Sequence, residues 1–143
     1  MIERIFRVTR RVLRVLPLPL VHFAVMVKSD RIYVLGRQDR SDRLHADIYS
    51  ARISGERIGS WERARSLPVP LSRFTCSVHM DLMIVAGGGF GWAAPIFADV
   101  YTATIGKNGH ISGWRKSGVL PRPVAFHAAV LWLDEPDATR KFE

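Results

Sequence analysis

The chain contains one sequence pattern twice, followed by the start of a third copy. A Leu-Pro step occurs at residues 16–17, 67–68 and 120–121. The first two steps are followed, in the same order, by a glycine, the pattern Asp-x-Tyr-x-Ala-x-Ile and the pattern Ile-x-x-Trp. Equivalent positions lie 51 to 53 residues apart, and the added residues fall in segments rich in Gly, Asp, Asn or Ser. A repeat of this length predicts tandem copies of one small structural unit.

Each copy holds four short runs with the composition of β-strands. The first two runs are almost wholly apolar, as is typical of strands that are buried on both faces. The third run alternates, with Tyr49, Ala51 and Ile53 on one side in the first copy. Because these short runs are separated by turn signals, in a chain with 8 Pro and 11 Gly, the sequence predicts an all-β protein. The predicted strands are residues 22–27, 32–35, 48–53 and 58–61, then 74–78, 82–86, 100–105 and 111–114.

A four-stranded unit repeated in tandem is typical of a propeller blade. The second copy has Leu-Pro at 67–68, Gly-Gly at 87–88, Asp-Val-Tyr-Thr-Ala-Thr-Ile at 99–105 and Asn-Gly-His-Ile-Ser-Gly-Trp at 108–114. This order resembles the bacterial kelch repeat, a family that includes repeats of the galactose oxidase central-domain type. The first copy matches at residues 16–17, 32–36, 47–53 and 58–61. The resemblance implies a partial β-propeller of two four-stranded antiparallel kelch-like blades plus one extra strand.

The resemblance also implies structural roles for seven positions. Glycines end the second strand of each copy, where a missing side chain permits close backbone approach, although Arg37 replaces the second glycine of the first copy. The repeated tryptophans are expected to pack each blade against a neighbour, and the repeated tyrosines to pack similarly. These structural positions are Gly36, Tyr49, Trp61, Gly87, Gly88, Tyr101 and Trp114.

The repeat predicts four segments along the chain. They are a basic N-terminal segment (1–15), a first blade (16–66), a second blade (67–119), and a segment (120–143) that holds the first strand of an incomplete third blade and a tail. A propeller needs about four to eight blades to close its ring. The chain is therefore a truncated or split gene product, a subunit that completes a ring by self-association, or a small open-sheet protein. Since exposed sheet edges leave backbone groups unpaired, we expect the isolated chain to be oligomeric.

The net charge of +8 predicts a weak, generic attraction to anionic surfaces. Residues 1–15 hold five Arg and one Glu. This segment is a basic amphipathic helix or transit signal, the start of a secretory signal, or the last strand of a preceding blade. Binding of nucleic acid or an anionic membrane through these arginines remains a further possibility. No apolar run approaches the roughly 20 residues of a membrane span.

The sequence predicts no catalytic residue, no metal site and no cofactor. Cys76 is the single cysteine and cannot form an internal disulfide, which favours the cytoplasm, with secretion left open. The five histidines lack the close spacing of metal ligands. The glycine-rich run 87–91 is not followed by a helical pattern or by Gly-Lys-Ser/Thr, so it does not indicate a phosphate-binding loop. No residues match the copper ligands of kelch-like oxidases.

The best candidates for partner binding are the long loops between the second and third strands, because loops on a rigid sheet carry function in such folds. We expect a non-catalytic interaction module with a protein or glycan partner. The alternative is a fragment of a propeller enzyme that acts on sugars, of the oxidase or sialic-acid isomerase type. The candidate contact residues are Arg37, Arg40 and Arg43 in the first loop and Phe90, Trp92 and Phe97 in the second.

Overall fold

The computed structural model describes residues 16, 20–89 and 95–125. Within these ranges there is no helix, and the strands form two antiparallel sheets, so the predicted all-β fold is confirmed. The predicted basic segment 1–15 and residues 126–143 of the predicted last segment lie outside the described residues. The strands are β1 (Ala24–Lys28), β2 (Arg31–Gln38), β3 (Leu44–Ser54), β4 (Arg57–Ile58), β5 (Glu62–Ala64), β6 (Thr75–His79), β7 (Leu82–Ala86), β8 (Asp99–Thr104) and β9 (Arg115–Val119). No helix in this part of the chain is long and apolar enough to cross a membrane.

The first sheet has the order β1-β2-β3, with β4 and β5 both paired to β3. The second sheet has the order β6-β7-β8-β9. The first three strands of each sheet pair consecutively as antiparallel neighbours, so the turns between them alternate between two ends of the sheet. The β1–β2 and β6–β7 turns therefore lie at one end of the sheets, and the loops between second and third strands lie at the other.

The same tight turn joins the first two strands of both sheets. Lys28 pairs with Arg31 across the β1–β2 ladder, which leaves a two-residue turn whose first residue, Ser29, has φ of 54°. Met80, 51 positions later, begins the equivalent turn of the second sheet with φ of 53°. Positive φ at this position matches the twist of a two-residue hairpin. The sequence repeat is therefore also a repeat of backbone conformation.

The predicted positions of the outer strands, 58–61 and 111–114, are wrong in both copies. The isoleucine of each Ile-x-x-Trp pattern instead pairs back onto the third strand, as Ile58 does with Ile53 and Ile111 with Ile105. The outer strands β5 and β9 begin only after the tryptophan. They read Glu-Arg-Ala and Arg-Lys-Ser-Gly-Val. Polar, charged strands of this kind suit a sheet edge and carry no apolar signal that sequence reasoning can detect.

The main hydrophobic core lies between the two sheets, which contact each other through β1 and β6. One face of the first sheet contributes Met26, Tyr33, Leu35 and Ile48 to this core. The second sheet contributes mainly aliphatic side chains: Met83, Val85, Ala103, Ile105 and Ile111. The opposite face of the first sheet forms a smaller buried cluster.

The smaller cluster consists of Ile32, Val34 and Ala51, with Trp61 among the side chains packed against it. These buried residues are the repeat equivalents of Met83, Val85 and Ala103 in the main core. Both sheets therefore bury the same set of positions on the same face. Because Tyr33 and Leu35 of β2 lie in the main core and Ile32 and Val34 in the smaller cluster, β2 is buried on both faces, in agreement with its nearly continuous apolar sequence.

Candidate functional site

The loop of residues 39–43, between β2 and β3, is built around the side chain of Asp39. Asp39 Oδ1 accepts hydrogen bonds from the backbone N–H groups of Ser41 at 2.8 Å and Arg43 at 3.0 Å. Its Oδ2 lies 2.9 Å from Nε2 of His45. The hydrogen bond with His45, together with those from the backbone, lowers the pKa of Asp39 to about 2. These contacts fix the loop in one closed conformation.

The loop contains two Asp and two Arg, and within the described residues only the carboxylates have side-chain hydrogen-bond partners. Its two carboxylates are both engaged, Asp39 by His45 and Asp42 by Gln38, whose Nε2 donates at 2.8 Å. Arg40 and Arg43 are exposed, and neither forms an ion pair with any residue in the described ranges. The sequence-predicted candidates Arg40 and Arg43 are thus both exposed on this one loop.

Arg37 lies within β2 and not in the loop. Its side chain is 12% exposed, and its Nη2 donates to Asp47 Oδ2 at 3.5 Å. The other oxygen of Asp47 accepts from Arg63 Nη2 at 2.5 Å. Two guanidinium groups therefore share one carboxylate within the first sheet. A partner contact by Arg37 stays a prediction.

An equivalent ion pair joins the third and outer strands of the second sheet. Lys116 Nζ lies 2.7 Å from Asp99 Oδ1, and the two residues are the repeat equivalents of Arg63 and Asp47. The hydrogen bond from Lys116 lowers the pKa of Asp99, and the same bond raises the pKa of Lys116. Tyr101 also donates to Asp99, at 3.2 Å, and its pKa is raised by burial and by this bond. The repeat therefore includes a cross-strand ion pair. Its basic residue lies on the outer strand, which the sequence pattern places too early in the chain, so the sequence does not predict the pair.

The second predicted contact loop is only partly described. Phe90 and Trp92 lie outside the described residues. Phe97 is half-buried and packs against the main core, while its backbone N–H donates to the carbonyl of Gly88 at 2.8 Å. The neighbouring Ile96 is exposed. The part of this loop that the structure describes is thus held against the sheet by a hydrogen bond and by packing. Partner contacts by Phe90, Trp92 and Phe97 stay a prediction.

The predicted glycine positions bring the backbones of the two sheets close together. Gly36 has φ of 58°, and a Cβ there would lie 2.7 Å from the carbonyl oxygen of Leu71 and 2.8 Å from the ring of Phe74. A Cβ at Gly88 would lie 2.8 Å from Cβ of the same Phe74. Gly87 is buried beside it. Phe74 therefore packs between a glycine of each sheet, at the end that carries the two loops.

The repeated aromatic residues take part in packing. Trp61 packs on the smaller cluster and Trp114 on the main core, and both indole N–H groups are buried without a hydrogen-bond partner in the described residues. Tyr49 is half-buried on β3, as its equivalent Tyr101 is on β8. All four residues are therefore partly buried in the two sheets.

Cys76 has the surroundings of an inert thiol. Its Sγ lies 3.7 Å from the sulfur of Met26 within the main core, and burial raises its pKa to about 12. A thiol of this pKa is protonated at neutral pH and is a poor nucleophile. Among the described residues, no group of three or more His, Cys, Asp or Glu side chains is arranged to hold a metal ion.

Comparisons with known proteins show the fold of the chain. No family model and no curated protein sequence matches it. Its structure is similar to the structure of YjhT, with a TM-score of 0.61 and 15% sequence identity. The match covers 78% of this chain and 35% of that chain, so this chain spans about a third of the length of YjhT. At this identity the likeness shows a shared all-β, blade-like fold and nothing about activity.

Proposed function

We propose that this chain is a non-catalytic interaction module, made of kelch-like blades that belong to a larger propeller. The repeated sequence pattern and the two equivalent sheets support this proposal. The similarity to a propeller-like structure, of which the match covers 35%, also supports the proposal. The module binds a protein or glycan partner through the loops between second and third strands.

The ordered loop of residues 39–43 is the observation on which this proposal depends. The side chain of Asp39 holds the backbone in place, so little conformational entropy is lost when a partner binds. Arg40 and Arg43 are exposed, and guanidinium groups match the geometry of carboxylate and sulfate oxygens. The partner therefore carries acidic groups at the contact, on a peptide segment or on a glycan.

Array binding with the full chain tests this function. The labelled protein is applied to acidic and neutral glycans and to acidic and neutral peptides, and the class that binds identifies the partner. We expect Arg40→Ala/Arg43→Ala to weaken binding by about tenfold or more, since two charge-assisted hydrogen-bonding groups are lost. The matched control, Arg57→Ala/Arg65→Ala, removes the same charge from exposed sites outside this loop and should bind normally. Equal weakening by both variants, or no binding to either acidic class, would overturn the proposal.

The contribution of the second loop is tested with Trp92→Ala. Loss of an aromatic contact should weaken binding of the partner identified on the arrays without lowering the unfolding temperature of the chain. Binding that is unchanged by this substitution would remove residues 90–97 from the proposed contact surface and leave the first loop alone.

A further inference from the structure

A cleft of about 250 Å³ lies at the end of the sheets opposite to the partner-binding loops. Its walls are the β1–β2 turn, the β6–β7 turn and the segment 105–109 that follows β8, so both sheets contribute to it. The charged side chains that line it are Lys28, Asp30, Arg31, Arg52, Asp81 and Lys107. These residues are spread over 80 positions of the sequence and form no local motif, which is why the sequence does not predict this cleft.

Contacts between the sheets hold the walls of the cleft in place. Lys28 Nζ donates to the backbone carbonyl of Met80 at 2.5 Å and pairs with the carboxylate of Asp81 across the sheet boundary. The hydroxyl of the buried Tyr33 donates to the carbonyl of Gly109 at 3.0 Å. The cleft is therefore preformed and does not require an ordering step before a ligand enters.

The cleft carries an excess of positive charge, with four basic and two acidic side chains. Lys28 and Arg31 have side chains that are only 19% and 15% exposed, so water screens their charges weakly. Arg31 uses Nη1 for its hydrogen bonds to Ser50 at 3.1 Å and Glu62 at 3.5 Å. A guanidinium has five N–H donors, so Arg31 retains further donor capacity.

The two remaining cations lie at the exposed rim. Arg52 Nε is 3.3 Å from Asp30 Oδ2, and both side chains are largely accessible to solvent. Lys107 is exposed and forms no ion pair with a residue in the described ranges. The rim therefore offers positive charge that can be engaged without breaking the contacts that join the sheets.

We propose that this cleft binds a small ligand that bears an oxyanion, either a carboxylate or a phosphate. Partly buried cations beside exposed ones attract an anion and strengthen its hydrogen bonds. The volume falls just below the roughly 300 to 1,000 Å³ of pockets for drug-sized ligands, so the ligand is about the size of a monosaccharide. A site at this end of the sheets is separate from the proposed partner-binding loops.

Calorimetric titration of the full chain tests this proposal with three probes: inorganic phosphate, glucuronate and glucose. We expect phosphate or glucuronate to bind and glucose, which lacks the charge, to bind at least about tenfold more weakly. The preferred anion distinguishes a phosphate-bearing ligand from a carboxylate-bearing one. Amide resonances of residues 106–109 should shift when the anion binds, which locates the site.

Charge-removing variants provide the matched comparison. Arg52→Gln/Lys107→Gln removes the two rim charges and leaves in place Lys28, which joins the sheets, and Arg31, which bonds to Ser50 and Glu62 within the first sheet. We expect this variant to weaken anion binding by about tenfold, and Arg57→Gln/Arg65→Gln to bind as the unmodified chain does. Failure of both anions to bind, equal binding of glucose, or equal weakening by the two variants would overturn the proposal. None of these outcomes affects the array test of the loop at residues 39–43.

Discussion

At the scale of single residues, Gly36 shows most clearly why the repeat needs particular amino acids. It lies at the irregularity of the β2–β3 ladder between Leu35 and Arg37, where the backbone has positive φ. The neighbouring Phe74 ring and Leu71 carbonyl leave no space for a side chain. Glycine is therefore required at position 36 both by the positive φ of the backbone and by the close contact with Phe74 and Leu71.

We predict that Gly36→Ala destabilises the chain by roughly 2–4 kcal/mol, because left-handed backbone strain adds to a steric clash. The control is Gly55→Ala, which has a similar φ of 57° but no atom within 4 Å of an added Cβ. That variant should lose only the strain, about 1–2 kcal/mol. Urea unfolding measures both, and equal losses would show that the contact with Phe74 does not matter.

Asp39 makes the stability of the first loop depend on pH. Its pKa in the folded chain is about 2, below the ordinary Asp value of about 3.9. Its contribution to stability is therefore complete above about pH 4 and is lost as the pH falls towards 2. In urea unfolding, the stability difference between the unmodified chain and Asp39→Asn should be constant from pH 7 to pH 5 and should shrink between pH 4 and pH 3. A difference that stays constant to pH 3 would contradict the assignment.

At the scale of elements, the apolar strands could be predicted from the sequence and the polar ones could not. The runs that predict β1 to β3 and β6 to β8 are apolar or alternating, and the structure forms strands in those runs. β5 and β9 lie at sheet edges, where no apolar side chain is required, and both were placed too early in the chain. The ion pairs made by Arg63 and Lys116 were missed for the same reason.

The β6–β7 turn allows a test at this scale. Met80 has positive φ and a side chain that is 81% exposed, so its backbone is strained without compensating packing. We expect Met80→Gly to stabilise the chain by up to about 1 kcal/mol in urea unfolding, because glycine adopts this conformation freely. Lys107→Gly, at an exposed turn residue without positive φ, should instead be neutral or destabilising. A loss of stability in Met80→Gly would argue against the left-handed turn.

At the scale of the whole molecule, the sheets are joined by a core and by polar contacts at the cleft. The repeat predicts two units but not the contacts between them, since the second copy has His79 and Ile84 where the first has Lys28 and Tyr33. The cleft likewise depends on side chains that are distant from one another in the sequence. The contacts that hold the 39–43 loop lie within a short polar segment that carries no repeated pattern. Architecture was therefore more predictable from this sequence than either candidate site.

The hydrogen bond from Tyr33 to Gly109 offers a direct test of contact between the sheets. Tyr33→Phe leaves the ring in place but removes the hydroxyl, which should cost about 1 kcal/mol in urea unfolding. Tyr49→Phe is the control, because the Tyr49 hydroxyl makes no hydrogen bond within the described residues. Equal losses of stability in the two variants would show that the Tyr33–Gly109 hydrogen bond does not hold the cleft wall in place.

The proposed function requires that these two sheets are blades of a larger ring, with edges and faces that further blades would cover. Sedimentation velocity of the isolated chain, followed by calorimetric unfolding of the same sample, tests this most directly. We expect a concentration-dependent oligomer, because unpaired edge strands favour association. A clean monomer that unfolds in one cooperative transition would contradict it.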